Sequence, residues 1–196
     1  MKDEINAIHQ FWFGPLDDAG FAAPQQNRLW FSASVETDAA LRSRFGPLVT
    51  GALAGELNHW AADDMGLVAL LLLLDQFTRN IYRGTPQSFA GDAAALELVQ
   101  PVLASKRHEA LPPIHQVFLF LPLEHCENLA VQEQCLRLFS ELADRSDADL
   151  TNGFARYALA HRDVIARFGR FPHRNAILGR ESTAEELAYL EKHGGF

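Results

Sequence analysis

Residues 67–91 read LVALLLLLDQFTRNIYRGTPQSFAG, and the first third of this stretch decides the fold. The run Leu67 to Leu74 is eight apolar residues long and stops at Asp75. A helix that is apolar on every side has no face for water and belongs inside a protein. Arg79 and Arg83 follow Asp75 at steps of four, so a continuing helix puts all three on one face, with Gln76 and Asn80 beside them. Charges at the end of a buried helix must be paired, because an isolated ion loses its hydration there. Two readings follow. Guanidinium forks match carboxylates and phosphates in two-pronged fashion, which makes the stretch an anion cradle. Alternatively, Asp75 and Arg79 satisfy each other, and for this stretch alone that blander reading is favoured.

The chain on either side also reads helical. Asp3 is placed to cap a first helix that ends in the cluster Phe11-Trp12-Phe13, before Gly14-Pro15. Pro24 suits the first turn of a second helix with Leu29, Trp30 and Phe31. Thr37 caps a third, with Leu41 and Phe45 inward and Gly46-Pro47 as its stop. Val49, Leu53, Leu57 and Trp60 form a further helical stripe. Asp63 or Asp64 caps the buried helix, and the turn Arg83 to Pro86 closes it. A helix from about Gly91 is disturbed by Pro101; another opens at Pro112 and is interrupted by Pro122. Asn128 caps a helix carrying Val131, Cys135, Leu138 and Leu142. Thr151 or Asn152 opens the next, with the stripe Phe154, Ala158, His161, Ile165 and Phe168, and Gly169 as its C′ residue. Ser182 to Glu185 fits a capping box before Leu187 and Leu190. The alternation of strands is hard to find, so we read an all-α chain of roughly eight to ten helices in a single domain spanning 1–196, with short loops that make neighbours antiparallel. The tryptophans Trp12, Trp30 and Trp60 read as core.

The totals bound the function. At 196 residues and 48% hydrophobic, with fourteen Phe and three Trp, the chain has ample core material. Its net charge of −8 disfavours a nucleic-acid binder, which needs a basic surface. The opening MKDEINAIHQ lacks the apolar segment of a signal peptide, and no run approaches the ~18 residues of a membrane span. Two cysteines, Cys126 and Cys135, make neither a disulfide framework nor a paired CxxC zinc pattern. A reducing cytoplasm is the expected setting, and no cofactor or metal site is read. Oligomeric state is not legible.

Chemistry concentrates in two further places. Pro122-Leu123-Glu124-His125-Cys126-Glu127-Asn128 puts acid, histidine and thiol together. Glu124 could orient His125, and His125 could act as a base or lower the Cys126 pKa; the bland alternative is a polar loop capping the helix from Asn128. His125 has no second metal ligand at helical spacing. The segment His161 to Arg180, HRDVIARFGRFPHRNAILGR, holds five arginines (162, 167, 170, 174, 180) and one acid, Asp163. So basic a strip on an acidic protein suits an anionic ligand or an acidic patch of the same chain. His161, on an apolar stripe, reads as a core histidine, and Cys135 as an inert small hydrophobe.

The strings FWFG (11–14), Trp30-Phe31, LLLLDQFTRNIYRGTPQSFAGD, FLPLEHCENLAVQE and HRDVIARFGRFPHRNAILGRES together resemble a bacterial family known as domain of unknown function 924. They spread over nearly the whole chain. The resemblance implies a tetratricopeptide-like α-α superhelix, and it marks Asp75, Gln76, Arg79, Asn80, Arg83, Glu124, His125, His161, Arg162, Arg170, His173, Arg174, Asn175 and Arg180 as motif residues. It brings no activity with it. At 124–128 this chain has EHCEN where the family reads roughly EHSED, which speaks against serine chemistry. Three functions are carried forward. The first is a binding module in which Asp75, Arg79, Arg83, His161, Arg162, Arg170, His173 and Arg174 line a pocket for an anionic small molecule or acidic peptide end, around a hollow shared with Glu124 and His125. The second is a hydrolase or transferase on an anionic substrate, with His125 as base, Glu124 as its orienter and Cys126 as a candidate nucleophile. The third is a purely structural network of buried charges.

Overall fold

A computed structural model of the protein describes residues 1–146 and 149–195. Among these residues there is no strand, only an isolated bridge between Leu16 and Ala22; the protein is all-α. The helices are α1 (Lys2–Trp12), α2 (Gln26–Phe31), α3 (Val35–Leu53), α4 (Asp64–Leu71), α5 (Thr78–Ile81), α6 (Asp92–Ala104), α7 (Pro113–Glu124), α8 (Leu129–Ser146), α9 (Asp149–Phe168) and α10 (Ala184–His193). None of them is long and apolar enough to cross a membrane. The chain divides into two compact units, residues 1–83 with 87–122, and residues 84–86 with 123–196.

In the first unit the decisive stretch is buried as its composition requires: every residue from Leu67 to Leu74 is at most 1% exposed. Asp63 caps α4, its carboxylate accepting from the Gly66 N–H at 2.8 Å. The helix does not run on unchanged. Leu72–Phe77 widens into a π segment before α5, and the Thr78 hydroxyl donates to the Leu74 carbonyl at 2.8 Å. Gly91 makes room here, since a Cβ on it would stand 2.1 Å from the Leu74 oxygen. Around this axis lies an aromatic core. Trp12 meets Phe77 and Phe118 at 5.3 and 5.7 Å, Trp30 meets Phe118 at 5.0 Å, and the Trp30 indole donates to the Trp12 carbonyl at 2.8 Å. The three tryptophans are core, as their patterning predicts.

The punctuation is less decisive than the sequence rules imply. α3 passes through Pro47 and α6 through Pro101. In α3 the buried face Leu41, Phe45, Val49 and Ala52 continues across the proline, and burying such side chains returns about 1.5–3 kcal/mol each, comparable with the ~3 kcal/mol of a mid-helix proline. Pro122 likewise lies inside the last turn of α7. Ser34, with an extended backbone, caps α3 and accepts from the Thr37 N–H at 3.3 Å, so Thr37 sits in the first turn instead. α1 has Met1 rather than Asp3 at its N-cap.

In the second unit α8 and α9 form an antiparallel hairpin. Phe139 stacks on Phe154 at 6.1 Å, while Leu136 and Ser140 share a groove of about 630 Å³ with Asn152, Ala155 and Leu159. The Asn128 side chain caps α8, accepting from the Ala130 and Val131 N–H groups. Gly169, with φ 70°, ends α9 by donating to the Ile165 carbonyl. Val164, Ile165 and Phe171 make a small core with Phe168 and Tyr189.

Candidate functional site

The middle-chain arginines lie in the first unit, each on a carboxylate. Arg79 stands between two acids: its guanidinium is 3.3 Å from Asp75 Oδ1 and 3.0 Å from Asp92 Oδ1, and it also donates to the Asp75 carbonyl and, at 3.1 Å, to Asp92 Oδ2. Gln76 donates to Asp75 at 2.6 Å. Burial opposes the Arg79 charge, but Asp75 and Asp92 outweigh it and hold the group ionised. Arg83 does not join this cluster. α5 ends at Ile81, so Arg83 leaves the helical face and forks onto Asp38 of α3 at 2.8 and 2.9 Å, where Asn80 adds a third donor at 2.8 Å. Burial disfavours the Asp38 carboxylate, yet the bonds from Arg83 and Asn80 keep its pKa below the ordinary value.

The C-terminal strip lies in the second unit and is largely paired there. Arg170 forks onto Glu186 at 2.7 and 2.8 Å, and Glu186 also accepts from Asn175 and from the Thr183 N–H. The bond from Arg170 drives the Glu186 pKa down to about 2. Thr183 and Glu186 form the capping box of α10, one residue later than Ser182 to Glu185. Arg180 forks onto Glu127 at 2.6 and 2.9 Å; Glu127 further accepts from the Phe171 N–H at 2.7 Å. Arg167 binds Glu185 at 2.6 Å and Arg162 lies 3.2 Å from Asp163. Of the two options for this strip, an acidic patch on the same chain accounts for most of its charge.

Within the same unit a different set gathers around Phe171. The His161 ring meets Phe171 edge-on at 5.5 Å, His173 lies 5.6 Å from it, and the Arg174 guanidinium stacks over it at 4.6 Å. His125 is 6.5 Å from His161. At the end of α7, Glu124 places Oε1 3.5 Å from His161 Nδ1, and the same nitrogen is 2.9 Å from the Tyr157 carbonyl. Two oxygens at Nδ1 fix the tautomer: the proton sits there, and Nε2 carries the lone pair. Burial drives the His161 pKa down to about 3, with Arg174 and the neighbouring histidines adding to the effect. His173 falls to about 4 through burial and the Arg174 charge. Glu124 thus stands against His161, a pairing the sequence reading did not make. Cys126 is half-buried and Cys135 fully buried, and neither is in a disulfide. Burial and the Glu124 charge raise the Cys135 pKa well above a thiol's ordinary value, so it is inert. No group of three or more His, Cys, Asp or Glu among the described residues has metal-binding geometry.

Sequence reading missed Asp38, Asp92, Glu186 and Phe171 as partners. Glu186 had a signal, because Thr183-x-x-Glu186 matches a capping box as well as Ser182-x-x-Glu185 does. Asp38 and Asp92 lie 45 and 13 residues from the arginines they bind, and no local pattern marks such a separation.

A solved structure of a protein of unknown function from Agrobacterium tumefaciens is similar to this chain at 34% identity, covering 97% of this chain and 98% of that one with a TM-score of 0.82. Among curated proteins, none matches. The family described as "Bacterial protein of unknown function (DUF924)" matches residues 8–194. With its fold, its motif strings and this match over nearly its whole length, the chain belongs to that family.

Proposed function

We propose that this protein binds a small anion at the cluster of His125, His161, His173 and Arg174 in its second unit, and works in a reducing cytoplasm. The observation that carries this reading is the gathering of two imidazoles, His161 and His173, and a buried guanidinium around one ring, Phe171, with His125 6.5 Å from His161. Guanidinium and imidazole N–H groups are donors that suit carboxylate or phosphate oxygens. Arg79, Arg83, Arg162 and Arg170 contribute less to such a reading, since each already lies on a carboxylate of its own unit; for them the structural role is favoured. An acidic peptide end is the larger ligand of the same chemistry. Nucleic acid and membrane stay disfavoured as partners on charge and hydropathy.

Catalysis is the second reading, supported by the Glu124–His161 contact. It is the poorer one: a general base works best with a pKa near the working pH, and an imidazole held at about 3 is a feeble proton acceptor. Thermal-shift measurements against phosphorylated and carboxylated metabolites test the binding reading. A ligand at 100 times its Kd raises stability by about 2.7 kcal/mol, and Arg174→Gln removes that response. A flat response across the panel at millimolar ligand sinks it.

A further inference from the structure

A cavity of about 280 Å³ opens in the first unit, between α6 and the start of α4, and shares no residue with the cluster around Phe171. Its apolar lining includes Leu67, Leu98, Pro101 and Val102, of which Leu67 and Val102 are themselves buried. Its polar lining consists mainly of acceptors. Glu97 presents an exposed carboxylate, and among the described residues no group bonds to it or pairs with it. Pro101 stands four residues further along the same helix and has no N–H, so the Glu97 carbonyl lacks its regular helical donor. The Ser105 hydroxyl donates its one proton to the Pro101 carbonyl at 2.8 Å, which leaves its oxygen only lone pairs to offer. Arg107 is the one cation of the lining, and its charge is already met. Its Nε donates to Asp64 Oδ1 at 2.5 Å and its Nη1 to the Ala61 carbonyl at 3.3 Å. Lys106, beside it in the chain, pairs with Glu109 at 3.7 Å. One uncompensated negative charge and several acceptors thus stand over an apolar floor.

This lining discriminates between ligands. An anion meets the Glu97 carboxylate and no cation that lacks a carboxylate of its own. A hard metal ion wants a shell of oxygens, finds a single carboxylate, and gains nothing from Leu98 or Val102. A primary ammonium brings a charge for Glu97 and three N–H donors for the acceptors, and its hydrocarbon body covers the apolar floor. The volume is below the roughly 300–1,000 Å³ of pockets for drug-sized ligands, so the body is short. We infer that this cavity binds a small free primary amine with a short hydrocarbon chain, held by Glu97.

The probe is hexylammonium, titrated into the full chain at neutral pH and constant ionic strength and followed by backbone amide NMR. Hexanol and hexanoate serve as bodies of equal length with no charge and with the opposite charge. Hexylammonium should move the amide signals of Leu98, Val102 and Ser105 with a Kd of about 1 mM, as suits so few atoms. Hexanol should bind at the same amides about fivefold more weakly, the share of an ion pair at an exposed carboxylate, and hexanoate more weakly still. Glu97→Gln, at an exposed position with no partner to strand, should lower hexylammonium to the affinity of hexanol and leave hexanol unchanged. Nα-acetyl-lysine methylamide carries the same ammonium on a peptide and should bind more weakly than hexylammonium; equal or tighter binding gives the site to a protein lysine and overturns the free-amine assignment. Hexanoate binding as tightly as hexylammonium, an unchanged hexylammonium Kd in Glu97→Gln, or no movement of these amides far above the expected Kd overturns the inference. Each of these results leaves the Phe171 anion reading where it stood.

Discussion

Arg79 and Arg83 show how little spacing alone says about a residue. Both lie at steps of four from Asp75, yet Arg79 sits between Asp75 and Asp92 while Arg83 is 47% exposed on Asp38. Their energetics should differ accordingly. Arg79→Ala leaves Asp75, 1% exposed, without its guanidinium, and is expected to cost about 3–5 kcal/mol in urea denaturation. Arg83→Ala at the surface should cost about 1 kcal/mol or less, because water replaces the partner. Equal losses would contradict this account of both sites. The pairing of Asp75 with Arg79 was legible because it is local. The identity of Asp92 and Asp38 was not, because those acids come from other helices.

Helices were located by their stripes, and their interruptions were misjudged by the same local rules. Glycine and proline set a local cost, but a stripe that stays buried on both sides of Pro47 or Pro101 outweighs it. The π segment at Leu72–Phe77 left no mark in the sequence, since a run that is apolar on all sides has no periodicity to shift. Its requirement shows instead at Gly91: Gly91→Ala, with a Cβ driven 2.1 Å from the Leu74 oxygen, should lower stability by about 1–3 kcal/mol, readable in the urea midpoint. In the second unit Gln132 closes the end of α7, donating to the carbonyls of Leu123, Glu124 and Cys126 from a fully buried position. Gln132→Leu strands those acceptors and is expected to cost about 1–3 kcal/mol; a neutral result would mean the carbonyls find other donors.

Across the whole molecule, buried imidazoles should dominate the response to acid. His115 is held at about 4, beside His9 at 5.0 Å, and His161 and His173 lie at about 3 and 4. In the unfolded chain each titrates near 6.5. Between that value and the folded ones the unfolded state binds more protons, so stability is complete above pH 6.5 and is lost as pH falls toward 4. By pH 5.5 each fully buried imidazole should cost about 1 kcal/mol, lowering the melting temperature by several degrees relative to pH 7.5 in calorimetry. A melting temperature unchanged over that range would mean these rings are hydrated. A superhelix depends on how hairpins stack, and helical periodicity records only which face of each helix is apolar.

The sequence by itself determined that the protein is all-helical, that Leu67 to Leu74 is buried, and that Asp75 needs a cation, because each of these follows from periodicity or from the cost of burying a charge within a few residues. It also carried the family strings. Only tertiary structure decided which acid each arginine takes, where the capping box of α10 falls, and that Glu124 faces His161. Those outcomes depend on which helices pack together, and packing is chosen by apolar surface over the whole unit, which leaves the polar partners to be set by distance afterwards.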